Sequence, residues 1–519
     1  MDLILARDVA ASGFAAGLKA FEAAIGGRWV MATYGDRDAY GDPYALGDGR
    51  STAPSAALAP ANLEELRAVV RIANEHRLPL WPVSRGKNLG YGGAGPAMPG
   101  TIVLDLGRMN RIIDIDAKFG HCLIEPGVGF YDLFQALEAE KIPLWMSIPA
   151  NAWGSVIGNA LERGIGYTPY GDNTSKLCGL EIVTPTGDVV RTGMGAIGSG
   201  RAWQNYQYSF GPSWDQMLAQ SNLGIVTKAG LWLMPEPEMT AKVRINLPRF
   251  DDIGWAIDAL AELRRRDVIQ HNIVFGNYLH DASVFSQRDR WYQGPGAIPD
   301  AVSERIMAEY GLGWWSFGLS LFGCEGAVKA HMDVVRKAME PRLGKALEFV
   351  EWRRGEPYEN SARPRPSVVA LQISNWRGGR GGHIGFSPVM PPDGALALEQ
   401  ARKRKARFEQ FGQDYYTSFT MGQRHISNVN LIIYDRDDEA QVRGTKGLFE
   451  AMLADAAADG FGEYRTHTEY MDEVAGSFDF NDHALRRLNE QVKDCLDPNG
   501  ILAPGKSGIW PARYRKAQK

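Results

Sequence analysis

The chain has 519 residues, 45% of them hydrophobic and 23% charged, the balance of a soluble globular protein long enough for roughly two to four cores. Its net charge of -4 and pI near 6.2 leave no basic field for a phosphate backbone, which excludes nucleic acid as a partner. Cys122, Cys178, Cys324 and Cys495 form no CxxC pair and no CxxCH, excluding a cysteine zinc site, a thioredoxin-like motif and an attached c-type haem. Each cysteine is expected as a small buried hydrophobe, and no metal site is expected. The opening MDLILARDVAASGF lacks a basic n-region, and no uncharged apolar run approaches the roughly 18 residues of a bilayer span. The expectation is a cytoplasmic protein without a membrane partner.

In chain order, Asn62 is a candidate N-cap for a helix whose apolar face is Leu63, Leu66, Val69, Val70 and Ala73, with Glu64 and Glu65 suiting the dipole of its first turn. Leu80 to Val83, Thr101 to Leu104 and Cys122 to Ile124 read as strands, and Tyr131 to Leu137 as a helix. Gly179 to Val183, a Thr-Pro-Thr-Gly-Asp turn and Val189-Val190 form a hairpin pattern. The glycine-dense texture stops at Pro235-Glu236-Pro237-Glu238. Beyond it come an aromatic strand, Trp314 to Phe322, and a long helical pattern, Ala395 to Phe411. This is an α+β chain. The expected division is 1–238, 239–463 and a C-terminal return to the first domain over 464–519.

Two motifs mislead. Gly193 to Gly198 fits GxGxxG, but Ser199-Gly200 is a poor continuation for the helix that a dinucleotide fingerprint needs. Gly500 to Ser507 fits GxxxxGKS, yet it follows a turn and runs into Gly508-Ile509-Trp510-Pro511, so a nucleotide triphosphatase is the weaker reading. The informative loop is Ser84-Arg85-Gly86-Lys87-Asn88-Leu89-Gly90-Tyr91-Gly92-Gly93. Four glycines in eight residues allow positive φ and turn successive N–H groups toward an anion. Further glycine and hydroxyl loops lie at Gly154, Ser155, Gly158, Asn159 and Gly164, and at Gly224, Ile225 and Val226. Three such loops suit a long, bent cofactor, namely FAD.

These loops, Gly462-Glu463-Tyr464-Arg465-Thr466-His467 and the segment Asp497 to Gly508 together resemble the vanillyl-alcohol oxidase and p-cresol methylhydroxylase flavoprotein family. The likeness runs from about residue 20 to the C-terminus and is weakest between about 240 and 360. It implies a two-domain FAD-binding fold with an antiparallel-sheet cap domain, and a homodimer. His383, in Gly381-Gly382-His383-Ile384-Gly385, matches the family's 8α-histidyl flavin link. Arg465 and Lys506 are expected to contact the cofactor with the three loops. Tyr91, Tyr464 and Arg465 match the family's phenolate-binding trio, Tyr167 a further pocket tyrosine, and Arg424 an arginine near the flavin.

The implied activity is oxidation of a 4-alkylphenol or 4-hydroxybenzyl alcohol. Hydride passes from the benzylic carbon to flavin N5 through a p-quinone methide, and the electrons go on to oxygen or to a cytochrome or copper protein. A sugar-lactone or hydroxy-acid oxidase is the alternative on the same fold. Two positions depart from the family. Ala150 stands where the oxidases carry aspartate, with Asn151 beside it as a hydrogen bonder that is no base, and Ser427 replaces a histidine. Together they suggest a roomier pocket beyond the benzylic carbon, for a bulky guaiacyl or lignin-derived phenol.

Overall fold

The structure is a computed structural model and describes residues 3–515. The helix expected after Asn62 spans Leu63–Glu75, and the Asn62 side chain accepts the Glu65 N–H as an N-cap. Leu66, Val69, Val70 and Ala73 are buried; Ile72, outside the expected stripe, joins them. This helix packs beside a four-stranded sheet in the order Val30–Met31, Ala57–Leu58, Ile102–Asp105, Leu80–Val83, whose last three strands are parallel. The tail reaches the same sheet: Leu80 N–H donates to Ile501 C=O and accepts from Ala503 N–H at its own carbonyl, each at 2.7 Å. A five-stranded antiparallel sheet comes next, containing the hairpin of Leu177–Val183 with Val189–Arg191.

The third sheet is antiparallel, and its strands lie between Met239 and Asp435. Its central strands alternate by the two-residue period of a pleat. Phe419 and Met421 of Thr417–Met421 join a core formed with helices Asp252–Arg265, Glu325–Leu343 and Gly394–Gln410. Ser418 and Thr420 of the same strand point the other way, into a cavity against the first half of the chain. One face of the sheet is therefore structural and the other functional.

The cysteine expectation needs correction. Cys122 and Cys178 are buried in the five-stranded sheet, whereas Cys324 caps the exposed start of helix Glu325–Leu343 and Cys495 lies on the solvent side of helix Phe480–Leu496. The Gly193 motif is a single 3-10 turn, Gly193–Ala196, and opens no helix. Among the described residues no helix is long and apolar enough to cross a membrane.

The tail is locked to the fold by a buried ion pair. Lys493 Nζ donates to Asp497 and to the carbonyls of Asn222 and Leu502, each at 2.7 Å, while Asp497 accepts the N–H groups of Ile501 and Leu502. Removing the cation strands a buried carboxylate. Lys493→Met is therefore expected to destabilise the fold by about 3–5 kcal/mol, read from the midpoint of chemical denaturation.

Candidate active site

A cavity of about 470 Å³ runs between the glycine loops and the open face of the third sheet. All four glycines of the first loop, Gly86, Gly90, Gly92 and Gly93, have positive φ. Among the described residues, the backbone N–H groups of Arg85 through Gly90 find no protein acceptor, so six successive donors are left for a ligand. Ser84, Arg85, Gly86, Lys87, Asn88 and Leu89 all line the cavity. Arg85 is held by Asp132 at 2.9 Å, and the Lys87 ammonium sits 4.8 Å from the Trp153 ring centroid.

The second and third loops close on the first. Ser155 accepts the Gly158 N–H and donates to Pro126 C=O at 2.6 Å, and Asn159 accepts from Asn173 at 2.7 Å. Gly158 leaves room for the Ser84 hydroxyl, and Gly164 for the Asn159 carboxamide. Gly154, Gly224, Ile225, Val226 and Lys506 also line the cavity, with Lys506 paired to Glu162. Ser221 Oγ, Asn222 Oδ1 and Arg465 Nε are buried on this wall without partners. Orphan polar atoms are rare in native proteins, and together with the unfilled N–H run they fit a long polar cofactor such as FAD.

Two reciprocal close approaches join the loop to the third sheet. A Cβ on Gly90 would lie 2.6 Å from His383 Nε2, and one on Gly385 would lie 2.9 Å from the Tyr91 hydroxyl. Only glycine allows an imidazole and a phenol ring to seat face to face with the opposite backbone. His383 Nδ1 meets Ser374 Oγ at 3.2 Å, and that hydroxyl meets Tyr44 at 3.0 Å. Burial pushes the His383 imidazole down to about 4, with nearby Asp42 opposing and His467 adding to the fall, so it is neutral with Nε2 toward the glycine loop. His467 is itself fixed by Asp42 at 2.8 Å and by the Glu469 N–H.

Tyr91, Tyr464 and Arg465 converge. The Arg465 guanidinium carbon lies 4.2 Å from the Tyr91 ring centroid, one of its NH2 groups bonds Asn88, and Gln220 holds the Tyr464 carbonyl at 2.8 Å. No carboxylate within ion-pair distance of Arg465 occurs among the described residues. Burial raises the Tyr91 and Tyr464 phenols, with Arg465 opposing, and pushes Tyr167 up to about 12, so all three remain hydrogen donors near neutrality. Tyr167 is hydrogen-bonded to the Ala150 backbone and lies near Tyr91 and Tyr464, and both Tyr167 and Ala150 line the cavity.

Two expected residues lie elsewhere. Arg424 is exposed in the turn between strands Thr417–Met421 and Ile426–Asp435 and does not line the cavity, because the hairpin carries it past the sheet edge. Ser427 is buried opposite Thr420 on the cavity-facing side of its strand, but the lining ends at Val429 and Leu431. Sequence reading missed the wall of Val274, His280, Tyr416, Ser418 and Thr420. The alternation of Tyr416, Ser418 and Thr420 was the available signal, but it does not say which face is empty.

The chain matches the family models described as "FAD binding domain" over residues 54–193 and "FAD linked oxidases, C-terminal domain" over residues 368–507. Fold and cavity thus define an FAD-dependent oxidoreductase. The chain is 33% identical over 513 residues to the 4-cresol dehydrogenase (hydroxylating) flavoprotein subunit of Pseudomonas putida, covering 98% of each. It superposes on 4-ethylphenol oxidase from Gulosibacter chungangensis with TM-score 0.93 and 34% identity, covering 99% of this chain and 100% of the other. For p-cresol methylhydroxylase with substrate bound the TM-score is 0.92 and the identity 32%, covering 98% and 99%. The chain belongs to the vanillyl-alcohol oxidase and p-cresol methylhydroxylase family of flavoproteins.

Gly385→Ala is expected to push Tyr91 aside and weaken phenol binding roughly 100-fold while FAD content is unchanged. At Gly382 a Cβ meets nothing closer than 3.4 Å, so Gly382→Ala is the control. Titration of the flavin absorbance with a phenol reads both.

Proposed function

We propose that the chain oxidises para-substituted phenols bound as phenolates, withdrawing hydride from the benzylic carbon to leave a p-quinone methide. The observation that carries this is Arg465, a part-buried cation without a carboxylate partner among the described residues, set against Tyr91 and Tyr464. A phenol with pKa near 10 costs about 4 kcal/mol to hold ionised at pH 7. Hydrogen bonds to a charged group contribute about 1.5–3 kcal/mol each, so Arg465 and two tyrosine hydroxyls are enough to offset that cost.

Bound in the cavity, FAD supplies the acceptor for the benzylic hydride. In this reading the trio anchors the phenolate oxygen, and Tyr167 and Ala150, which also line the cavity, stand beside the ring. Ala150 offers no base for hydration of the quinone methide. Asn151 Oδ1 accepts the Trp153 N–H, leaving its amide NH2 as the donor it can offer. The small and medium side chains Val274, Ala370, Ser418, Thr420 and Val429 on the cavity wall support a bulky guaiacyl or lignin-derived side chain.

A covalent 8α-link from His383 belongs to the same reading, supported by its neutral imidazole and its place against the glycine loop. The exposed Tyr206, Tyr208, Phe210 and Trp214 support a homodimer. Relatives named as a dehydrogenase and as an oxidase support either a protein or oxygen as electron acceptor.

Arg465→Met is expected to weaken phenolate binding at least about 100-fold with FAD retained, read from the absorbance of bound phenolate. Acid-precipitated protein is expected to stay yellow, and His383→Ala to release its FAD to the supernatant; a colourless wild-type pellet sinks the link. Bulky 4-substituted guaiacols should be turned over faster than 4-methylphenol, and the reverse order overturns the side-chain assignment. Mixing anaerobically reduced enzyme with air separates an oxidase from a dehydrogenase by its rate of reoxidation.

A further inference from the structure

The third sheet turns a row of hydroxyls toward the cavity, and their role rests on the proposed binding of a para-substituted phenol. Strand Thr417–Met421 buries Phe419 and Met421 in the helical core. Ser418 and Thr420, with Tyr416 just before the strand, share the opposite face and line the cavity. They are only 4%, 7% and 4% exposed, respectively. Yet none of the three side-chain hydroxyls bonds a protein atom among the described residues, and none is sealed away from the cavity. Buried polar groups are nearly always hydrogen-bonded. Three open hydroxyls on one wall therefore form a surface that the polar atoms of a ligand complete.

The row has a direction. Tyr167 lies near Tyr464 and near Tyr416, so Tyr416 stands at the end next to the phenol trio. Four residues of extended chain then carry the row about 13 Å to Thr420. Each hydroxyl of the strand has an aliphatic neighbour across the ladder, Val274 beside Thr420 and Val429 beside Ser418, and both line the cavity. The His280 imidazole lies against Tyr416, with ring centroids 5.7 Å apart, and turns Nδ1 toward Asp281 at 4.0 Å. Charge narrows the class of ligand. The cations lining the cavity, Arg85, Lys87, Arg465 and Lys506, all come from the glycine loops and the tail. Among the described residues the sheet wall carries no lysine or arginine, and the carboxylate acting on Tyr416 is Asp281, itself paired to Arg244. An anionic chain would find no counter-charge along this wall.

We propose that the row of Tyr416, Ser418 and Thr420 selects a 4-substituent that carries neutral oxygen, an alcohol or an ether, over a hydrocarbon chain of the same length. The hydroxyls donate to that oxygen, and an alcohol donates back to them. A hydrocarbon chain in the same place covers the hydroxyls and displaces their water without replacing its hydrogen bonds. A site that leaves its own polar groups unpaired discriminates against such a ligand. Burial raises the Tyr416 phenol, with Asp281 and Tyr167 adding to the rise, so it remains a donor.

The test compares 4-(3-methoxypropyl)phenol with 4-pentylphenol, which has the same chain length with CH2 in place of oxygen. Each is mixed anaerobically with the FAD-loaded enzyme, and Kd is read from the concentration dependence of flavin bleaching. The wild type is expected to bind the ether more tightly than the hydrocarbon. Ser418→Ala/Thr420→Val and Tyr416→Phe remove hydroxyls while nearly keeping the shape of the wall. The ratio of the two Kd values is expected to shift toward the hydrocarbon about tenfold in the double variant, and in the same direction in Tyr416→Phe. A merely structural disturbance weakens both phenols together and leaves that ratio where it was. An unchanged ratio in both variants, with both phenols still bound and oxidised, overturns the row and leaves phenol oxidation standing. Tighter binding of 4-(4-hydroxyphenyl)butanoate than of either neutral phenol overturns the assignment to neutral oxygen. If no phenol reduces the flavin of the wild type, the phenol reading fails and the row's role with it.

Discussion

The site depends on a double close approach between a phosphate-type loop and the edge of an antiparallel sheet. His383 seats against the backbone of Gly90, and Tyr91 seats against the backbone of Gly385. Each ring comes from one segment and each gap from the other, so neither half is formed until both are in place. The same contact joins the glycine loop to the sheet that forms the facing wall of the cavity. Packing is unforgiving at this scale, since interiors have no spare methyl-sized space. A glycine missing from either side therefore moves a functional ring, not merely a loop.

Around that contact the electrostatics are arranged so that one cation waits for one anion. Arg465 is stacked on Tyr91 and tethered by Asn88, but no carboxylate pairs with it within ion-pair distance among the described residues. In the tail, by contrast, a buried charge is fully paired, as Lys493 and Asp497 show. The contrast separates stability from function. A buried ion with all its bonds made holds the tail in place, and one left open attracts a ligand. Desolvation keeps Tyr91, Tyr464 and Tyr167 protonated, so they stand as hydrogen donors near Arg465.

The third sheet shows how one element serves both demands. Phe419 and Met421 anchor it to the helices, and the intervening Ser418 and Thr420 line the cavity. Because the pleat reverses every residue, the cavity wall is tuned by positions that contribute little to the core behind it. Substrate range and stability can thus vary almost independently along one strand.

Much of the site is legible in the linear chain. The N-cap and apolar stripe after Asn62 and the glycine loop with its four positive φ angles arise from local chemistry that a short segment carries by itself. Tyr91, Tyr464 and Arg465, by contrast, are expected from the family resemblance and meet only in the fold. Glycine spacing and capping residues act within a few bonds, so they survive in the linear order. What did not survive was facing. Arg424 sits in a recognisable motif, yet the hairpin turns it to solvent, and Ser427 lies on the cavity side of its strand but beyond the cavity's end. Cys324 and Cys495 are exposed although their residue type favours burial. Glu463 and Ser387, joined by the Ser387 N–H to the Glu463 carboxylate, belong to segments 76 residues apart that only the fold brings together. The sequence by itself determined which chemistry was possible: glycine loops for an FAD cradle, and the arginine and tyrosines proposed to meet an oxyanion. Only the tertiary structure decided which side chains share one cavity, because burial, orientation and long-range contact are set by packing and not by chain order.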